Sequence, residues 1–148
     1  MEALSEIPDF LKRDFDSIYR MKNLANPDNP ASVRGTTVVV YDAAFDPKHN
    51  LTHILAHEMA HRYFEGLTES ERESFRRAAG WVGTSSPRPG RPATEFLRPN
   101  GMLSPDEDFA DDIATYFLKP ADLKAKSPKI FGWMEKHLGP KLKRRNHK

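Results

Sequence analysis

Cysteine is absent from the chain. That absence excludes disulfides and thiolate metal sites, so any metal must be held by His, Asp or Glu. Long apolar runs are also lacking: none approaches the roughly 20 residues that cross a bilayer, and no membrane is expected among the partners. Met1 to Arg20 lacks the basic-then-apolar order of a secretory signal. The expected location is therefore the cytoplasm of the producing cell, or delivery as an effector by other means. A strong charge of one sign is missing too, since 23 Lys and Arg against 21 Asp and Glu leave a net +2. Much of the excess sits in KLKRRNHK from Lys141 onward, read as a solvated basic tail over 141–148, with nucleic acid not expected as a partner. No internal repeat is apparent. A length of 148 residues suits one domain, expected over 1–140.

Periodicity and punctuation divide that domain. Leu11, Phe15 and Ile18 recur at helical spacing, so a helix is expected over Phe10 to Leu24, with Pro8 in its first turn. NPDNP, from Asn26 to Pro30, is turn chemistry. The β-branched run from Thr36 to Tyr41 predicts a strand. Asp46-Pro47 is expected to open a helix that closes at Gly66. Thr68 and Glu71 form a capping box for a further helix stopped by Gly80. From Trp81 to Gly101 four prolines and few periodic apolar positions predict a long functional loop, with a short strand around Glu95 to Leu97. A helix is expected from Pro105 to about Leu118, and a last one from Ser127-Pro128 to Gly139-Pro140. The expected fold class is α+β, dominated by four or five helices, with one to three strands.

Within HILAHEMAHRYFE, residues 53–65, lies His57-Glu58-Met59-Ala60-His61. On a helix, positions i and i+4 project from one face a turn apart, so two imidazoles can reach one ion. Glu58, next to the first, faces the same space and can take a proton from water on the metal. His53 extends the row by one more turn. Each four-residue step rotates about 40° and climbs about 6 Å, which gives His53 a rim role rather than a ligand role.

A catalytic zinc takes three protein ligands. Leu67 stands where a third histidine six residues past His61 would signal the metzincin arrangement, so that reading fails. The acid cluster Asp106-Glu107-Asp108 with Asp111-Asp112 is the alternative source. Glu107 and Asp111 share a helix face, which suits Glu107 as ligand and Asp111 as acceptor from the far nitrogen of a ligand histidine. Asp108 and Asp111 remain alternatives for the third ligand. Ser104-Pro105-Asp106-Glu107 is also a capping box, and acids in a first turn favour the helix dipole without any metal.

The segment SPDEDFADDIATYFLKP resembles the E-D-F-A-E-x-F-A-x-Y pattern of small bacterial zinc peptidases. It is also similar to the ligand helix in the catalytic domain of anthrax lethal factor. SPKIFGWMEKHLG resembles the last helix of the same group, the gluzincins. The likeness spans roughly Thr36 to Leu138 and is densest at the two short motifs. It implies a zincin-like fold, Zn2+ as cofactor, His57, His61 and Glu107 as ligands, Glu58 as base and Asp111 as support. The tyrosine that lethal factor places before its ligand helix has no counterpart, because no tyrosine lies between Phe64 and Thr115. Arg91, Arg98 and Asn100 are the donors that could face a substrate oxygen instead.

The expected activity is zinc-dependent hydrolysis of peptide bonds in a protein or peptide, by a monomer, as a metalloendopeptidase. The resemblance to toxin and effector domains leaves room for an inhibitory or immunity partner. The competing expectation is a zinc protein acting on a non-peptide bond or serving as a binding module.

Overall fold

A computed structural model describes residues 5–22, 30–46, 50–83 and 85–141. Among the described residues a single helical turn, α1 (Asp9–Lys12), precedes β1 (Ser17–Met21). The helix expected over Phe10 to Leu24 is thus corrected to a turn and a strand up to residue 22, while 23 and 24 lie outside the described residues. β3 (Thr37–Tyr41) explains the difference: its valine run offers a ladder edge, and β1 pairs with it in parallel from Ser17↔Thr37 to Met21↔Tyr41. The pairing is fixed at its start by the Asp16 N–H donating to the Thr36 carbonyl at 3.0 Å and the Thr36 hydroxyl donating to the Asp16 carboxylate at 3.0 Å. Tertiary ladder bonds here override a local helical pattern.

β2 (Ala31–Arg34) pairs antiparallel on the other side of β3, so the sheet order is β1-β3-β2 and β2 is an edge strand. A two-residue turn joins β2 to β3, with Gly35 at φ 60, a conformation hairpin turns assign to glycine. Of NPDNP, only Pro30 falls within the described residues.

α2 (Leu51–Glu65) carries the paired histidines. Its cap is Asn50, whose side chain accepts the His53 N–H at 3.1 Å, not the expected Asp46. Pro47 lies outside the described residues. Gly66 closes the helix as expected. α3 (Glu69–Ala78) starts with both halves of the Thr68–Glu71 capping box in place, and Gly80 at φ 78 ends that segment. The long segment that follows contains a two-stranded ribbon, β4 (Trp81–Val82) with β5 (Arg88–Pro89). Glu95 to Leu97 is no strand: a 3-10 turn occupies Ala93–Glu95, and a second one Pro99–Met102. α4 (Pro105–Leu118) then starts at Ser104, whose hydroxyl accepts the Glu107 N–H at 3.2 Å. α5 (Pro120–Lys126), unforeseen from sequence, and α6 (Pro128–His137) complete a helix-dominated α+β architecture.

α2 and α4 pack against each other more extensively than any other two elements. Beyond the histidines, their interface continues into an aromatic cluster, with Phe109 4.7 Å from Phe64 and 5.1 Å from Phe75 between ring centroids. Trp133 of α6 meets Phe75 edge-on at 5.4 Å. Phe109 is fully buried, a burial worth about 2–3 kcal/mol. This apolar wedge fixes how α4 lies against α2, and so where Glu107 comes to rest. Past α6, the Lys141 ammonium donates to the Tyr63 hydroxyl at 2.7 Å and lies over the Phe10 and Tyr63 rings. The rest of the basic tail, 142–148, lies outside the described residues, among which no helix is long and apolar enough to cross a membrane.

Candidate metal centre

α2 projects His57 and His61 from one face, and their Nε2 atoms stand 3.2 Å apart. Glu107, in the first turn of α4, reaches both rings: Oε2 lies 3.3 Å from His57 Nε2, and Oε1 lies 3.2 Å from His61 Nε2. Three side chains from two helices, fifty residues apart in sequence, thus converge on one point. Each ring is held from behind by a second carboxylate. His57 Nδ1 lies 2.8 Å from Asp111 Oδ1, and His61 Nδ1 lies 3.1 Å from Asp106 Oδ1. A carboxylate beside Nδ1 favours a proton on that nitrogen, which leaves Nε2 as the atom able to take a cation.

Electrostatics of the cluster call for positive charge at its centre. Burial works to lower the pKa of both rings, but the carboxylates outweigh it. Asp111 and Glu107 raise His57, while Asp106 and Glu107 push His61 up to about 10. Reciprocally, hydrogen bonds from His57 and His61 hold Glu107 well below the usual carboxylate range. Glu58 behaves in the opposite way: burial raises it, and it lines the open cleft beside the rings.

The donor set fits a divalent cation. Ligand atoms about 2.0–2.1 Å from a tetrahedral ion stand about 3.3 Å from one another; the two Nε2 atoms are 3.2 Å apart, and each lies 3.2 or 3.3 Å from its own oxygen of the Glu107 carboxylate. Two imidazole nitrogens and a carboxylate oxygen, each ring backed by an acceptor, suit zinc by ligand type. A second grouping, His53 with His57 and Asp111, is less suited. There Asp111 Oδ1 already accepts from Arg98 Nε at 3.0 Å and Nη2 at 2.6 Å, so that oxygen is engaged by a guanidinium. His53 stays at the rim, its pKa lowered to about 4 by burial and then by Arg98.

Other sequence candidates separate clearly. Asp108 does not join the rings: it is buried, and its carboxylate takes both Arg91 Nη1 at 2.6 Å and Nη2 at 2.7 Å. Trp81 Nε1 adds a bond to Asp108 at 2.8 Å, so Asp108 is a structural anion rather than an alternative ligand. Arg91, expected as a donor to substrate, points away from the cleft: it also donates to the Ala79 carbonyl and stacks 3.7 Å above Phe96. Arg98 and Asn100 do line the cleft, a cavity of about 500 Å3 walled also by Pro30 to Val33 of the β2 edge. Asp106 and the β2 edge went unread in the sequence. The first looked like helix capping, and ASVR carries too few apolar residues to announce a strand.

No family model matches this chain, and neither a curated protein nor a solved structure was found to be similar to it.

Proposed function

We propose that the chain is a zinc-dependent metallopeptidase of gluzincin type with a zincin-like fold. The observation that carries the reading is the triangle of His57 Nε2, His61 Nε2 and Glu107 carboxylate with Glu58 beside it. His57, His61 and Glu107 are the zinc-holding residues, with Asp111 and Asp106 as their supports. Zinc bound there supplies a Lewis acid that brings the pKa of water from about 15.7 toward about 7 and polarises a carbonyl oxygen. Glu58, whose raised pKa suits a base working near neutrality, takes a proton from the water that attacks the scissile carbonyl carbon. As the C–N bond breaks, it returns that proton to the departing amine nitrogen. Arg98, with Nε and Nη2 engaged by Asp111, and Asn100 stand at the cleft wall as donors to the carbonyl oxygen.

A peptide is favoured over a non-peptide substrate because an edge strand forms one wall. Among the described residues β2 has β3 on one side only, and an extended chain can add to its outer edge through main-chain hydrogen bonds. The test is digestion of a broad peptide library by the zinc-loaded protein, with and without chelator, and with Glu58→Gln. The account expects chelator-sensitive cleavage that Glu58→Gln abolishes while zinc stays bound. Cleavage at the parent rate by that variant would remove Glu58 from the mechanism.

A further inference from the structure

The carboxylate behind His57 is held by one oxygen only. Asp111 Oδ1 lies 2.8 Å from His57 Nδ1 and accepts from Arg98 Nε at 3.0 Å and Nη2 at 2.6 Å. The other oxygen, Oδ2, is buried and has no hydrogen-bond partner among the described residues. Gly101 stands on that side, where an added Cβ would be 3.5 Å from Oδ2. Its N–H is already given to the Arg98 carbonyl at 3.1 Å. Torsion about the last bond of an aspartate is soft, so nothing at Oδ2 fixes the plane of this carboxylate. Apart from the ring it supports, the Arg98 guanidinium is what holds it.

The two ligand rings are therefore supported differently. Asp106, behind His61, has 42 % of its side chain exposed, so water can reach and satisfy it. Asp111, with 2 % exposed, depends on protein groups. Arg98 stands between the 3-10 turns Ala93–Glu95 and Pro99–Met102 and lines the cleft. Its guanidinium acts in two opposed ways on a cation held at His57 Nε2. As a like charge it repels the cation. As a clamp on Asp111 it preserves the acceptor that favours a proton on Nδ1 and leaves Nε2 free. The repulsion is weak, because Asp111 pairs with the guanidinium and 45 % of the arginine side chain faces water. The clamp works through direct bonds to a buried group, where loss of a partner is costly. The clamp outweighs the repulsion.

We propose that Arg98 is a positioning residue of the metal centre, acting through Asp111 on His57, besides its place in the cleft wall. The inference rests on the zinc reading of the site but not on peptide cleavage, so it is tested without substrate. Zinc affinity is measured by competition with a coloured chelator for the unmutated protein, Arg98→Met, Arg98→Lys, Asp111→Asn and the double variant Arg98→Met with Asp111→Asn. Arg98→Met keeps the stem and removes the donors. Its zinc Kd is expected to rise about tenfold, the lower end of losses behind a ligand histidine. Arg98→Lys returns a charge and a donor without the planar fork and should recover part of that loss. In the Asp111→Asn background Arg98→Met should change zinc affinity by less than about twofold, because the path is already cut. Zinc binding by Arg98→Met as tight as the parent's, or tighter, leaves only charge repulsion and overturns the proposal. So does an equal loss in the Asp111→Asn background, or an Arg98→Lys protein no better than Arg98→Met. A second readout does not need Asp111→Asn to fold: the His57 Nδ1–H proton resonance of the zinc-loaded protein should be sharp in the parent and exchange-broadened in Arg98→Met. An equally sharp resonance in both overturns the positioning role. The expected affinities with no cleavage of any peptide overturn only the peptidase reading, and no zinc uptake by the unmutated protein overturns both.

Discussion

Glu58 and Glu107 are the same residue type on facing helices, and their surroundings assign them opposite work. Burial without a hydrogen-bonded cation raises Glu58 toward the range of a useful base, whereas two imidazoles lower Glu107 and keep it an anion fit for a metal. Glu58→Gln should therefore keep full zinc content while kcat falls by about 10²–10⁴-fold, the range typical of a lost general base; metal analysis beside initial rates checks both halves. Glu107→Ala should lose zinc together with activity, and elemental analysis of the purified variant reads that directly. Asp106→Asn tests the support that sequence reasoning overlooked. It leaves all three ligands in place, so zinc affinity should weaken by about 10–100-fold, as losses behind a ligand histidine usually do. A competition titration with a coloured chelator would show it, and an unchanged affinity would reduce Asp106 to a helix-capping acid.

At the scale of elements, legibility followed cooperation between local and tertiary signals. α3 and α4 have caps and stop residues that favour the same state, and their spans could be read closely from sequence, whereas α2 closes at Gly66 as read but starts at Leu51, later than Asp46-Pro47 suggested. β1 could not, because Leu11, Phe15 and Ile18 fit a helix while the deciding bonds lie twenty residues away on β3. α5 buries only Leu123, too little periodicity to announce itself. In the candidate site, a helical-turn spacing fixed His57 and His61 in advance, and Glu107 followed from its helix face. The fate of Arg91 depended on a contact seventeen residues along the chain and was invisible.

That contact has energetic consequences. Arg91 and Asp108 are both nearly sealed from water, with 7 % and 1 % of their side chains exposed. Removing one partner strands the other charge, at about 3–5 kcal/mol. Arg91→Leu should therefore lower stability by that amount in chemical denaturation while the two histidines and Glu107 still bind zinc. Beside it, Asp112 is buried and its pKa is raised well above the ordinary value, first by burial and then by the Asp108 charge. A carboxyl whose folded pKa is raised contributes stability below its unfolded pKa of about 3.8 and loses it as pH rises. Asp112→Asn is thus expected to be more stable than the parent at pH 7, with the advantage gone below about pH 3.8. Equal denaturation midpoints at pH 7 would mean that Asp112 is ionised in the folded protein.

For the whole molecule, the proposed zinc site would link metal binding and pH through the same rings. Without metal, His61 with its pKa near 10 adds stability that is complete below about 6.5 and fades as pH rises toward 10. Glu107, held low, adds stability present above about 4.5 and lost as pH falls through its depressed folded value. The zinc-free protein should accordingly gain most from this cluster between about pH 4.5 and 6.5. Zinc must displace the protons on the rings, so its stabilising effect grows with pH. Melting curves with and without chelator at pH 6 and pH 8 should show the larger zinc increment at pH 8. With zinc at about a hundred times its Kd the increment is about 2.7 kcal/mol.

X-ray absorption at the zinc edge tests the central claim most directly. The account predicts one zinc per chain, with two imidazole nitrogens and carboxylate oxygen at about 2.0–2.1 Å, one imidazole lost in His61→Ala and the carboxylate lost in Glu107→Ala. A chain that takes up no stoichiometric zinc, or a coordination shell untouched by either substitution, would contradict it.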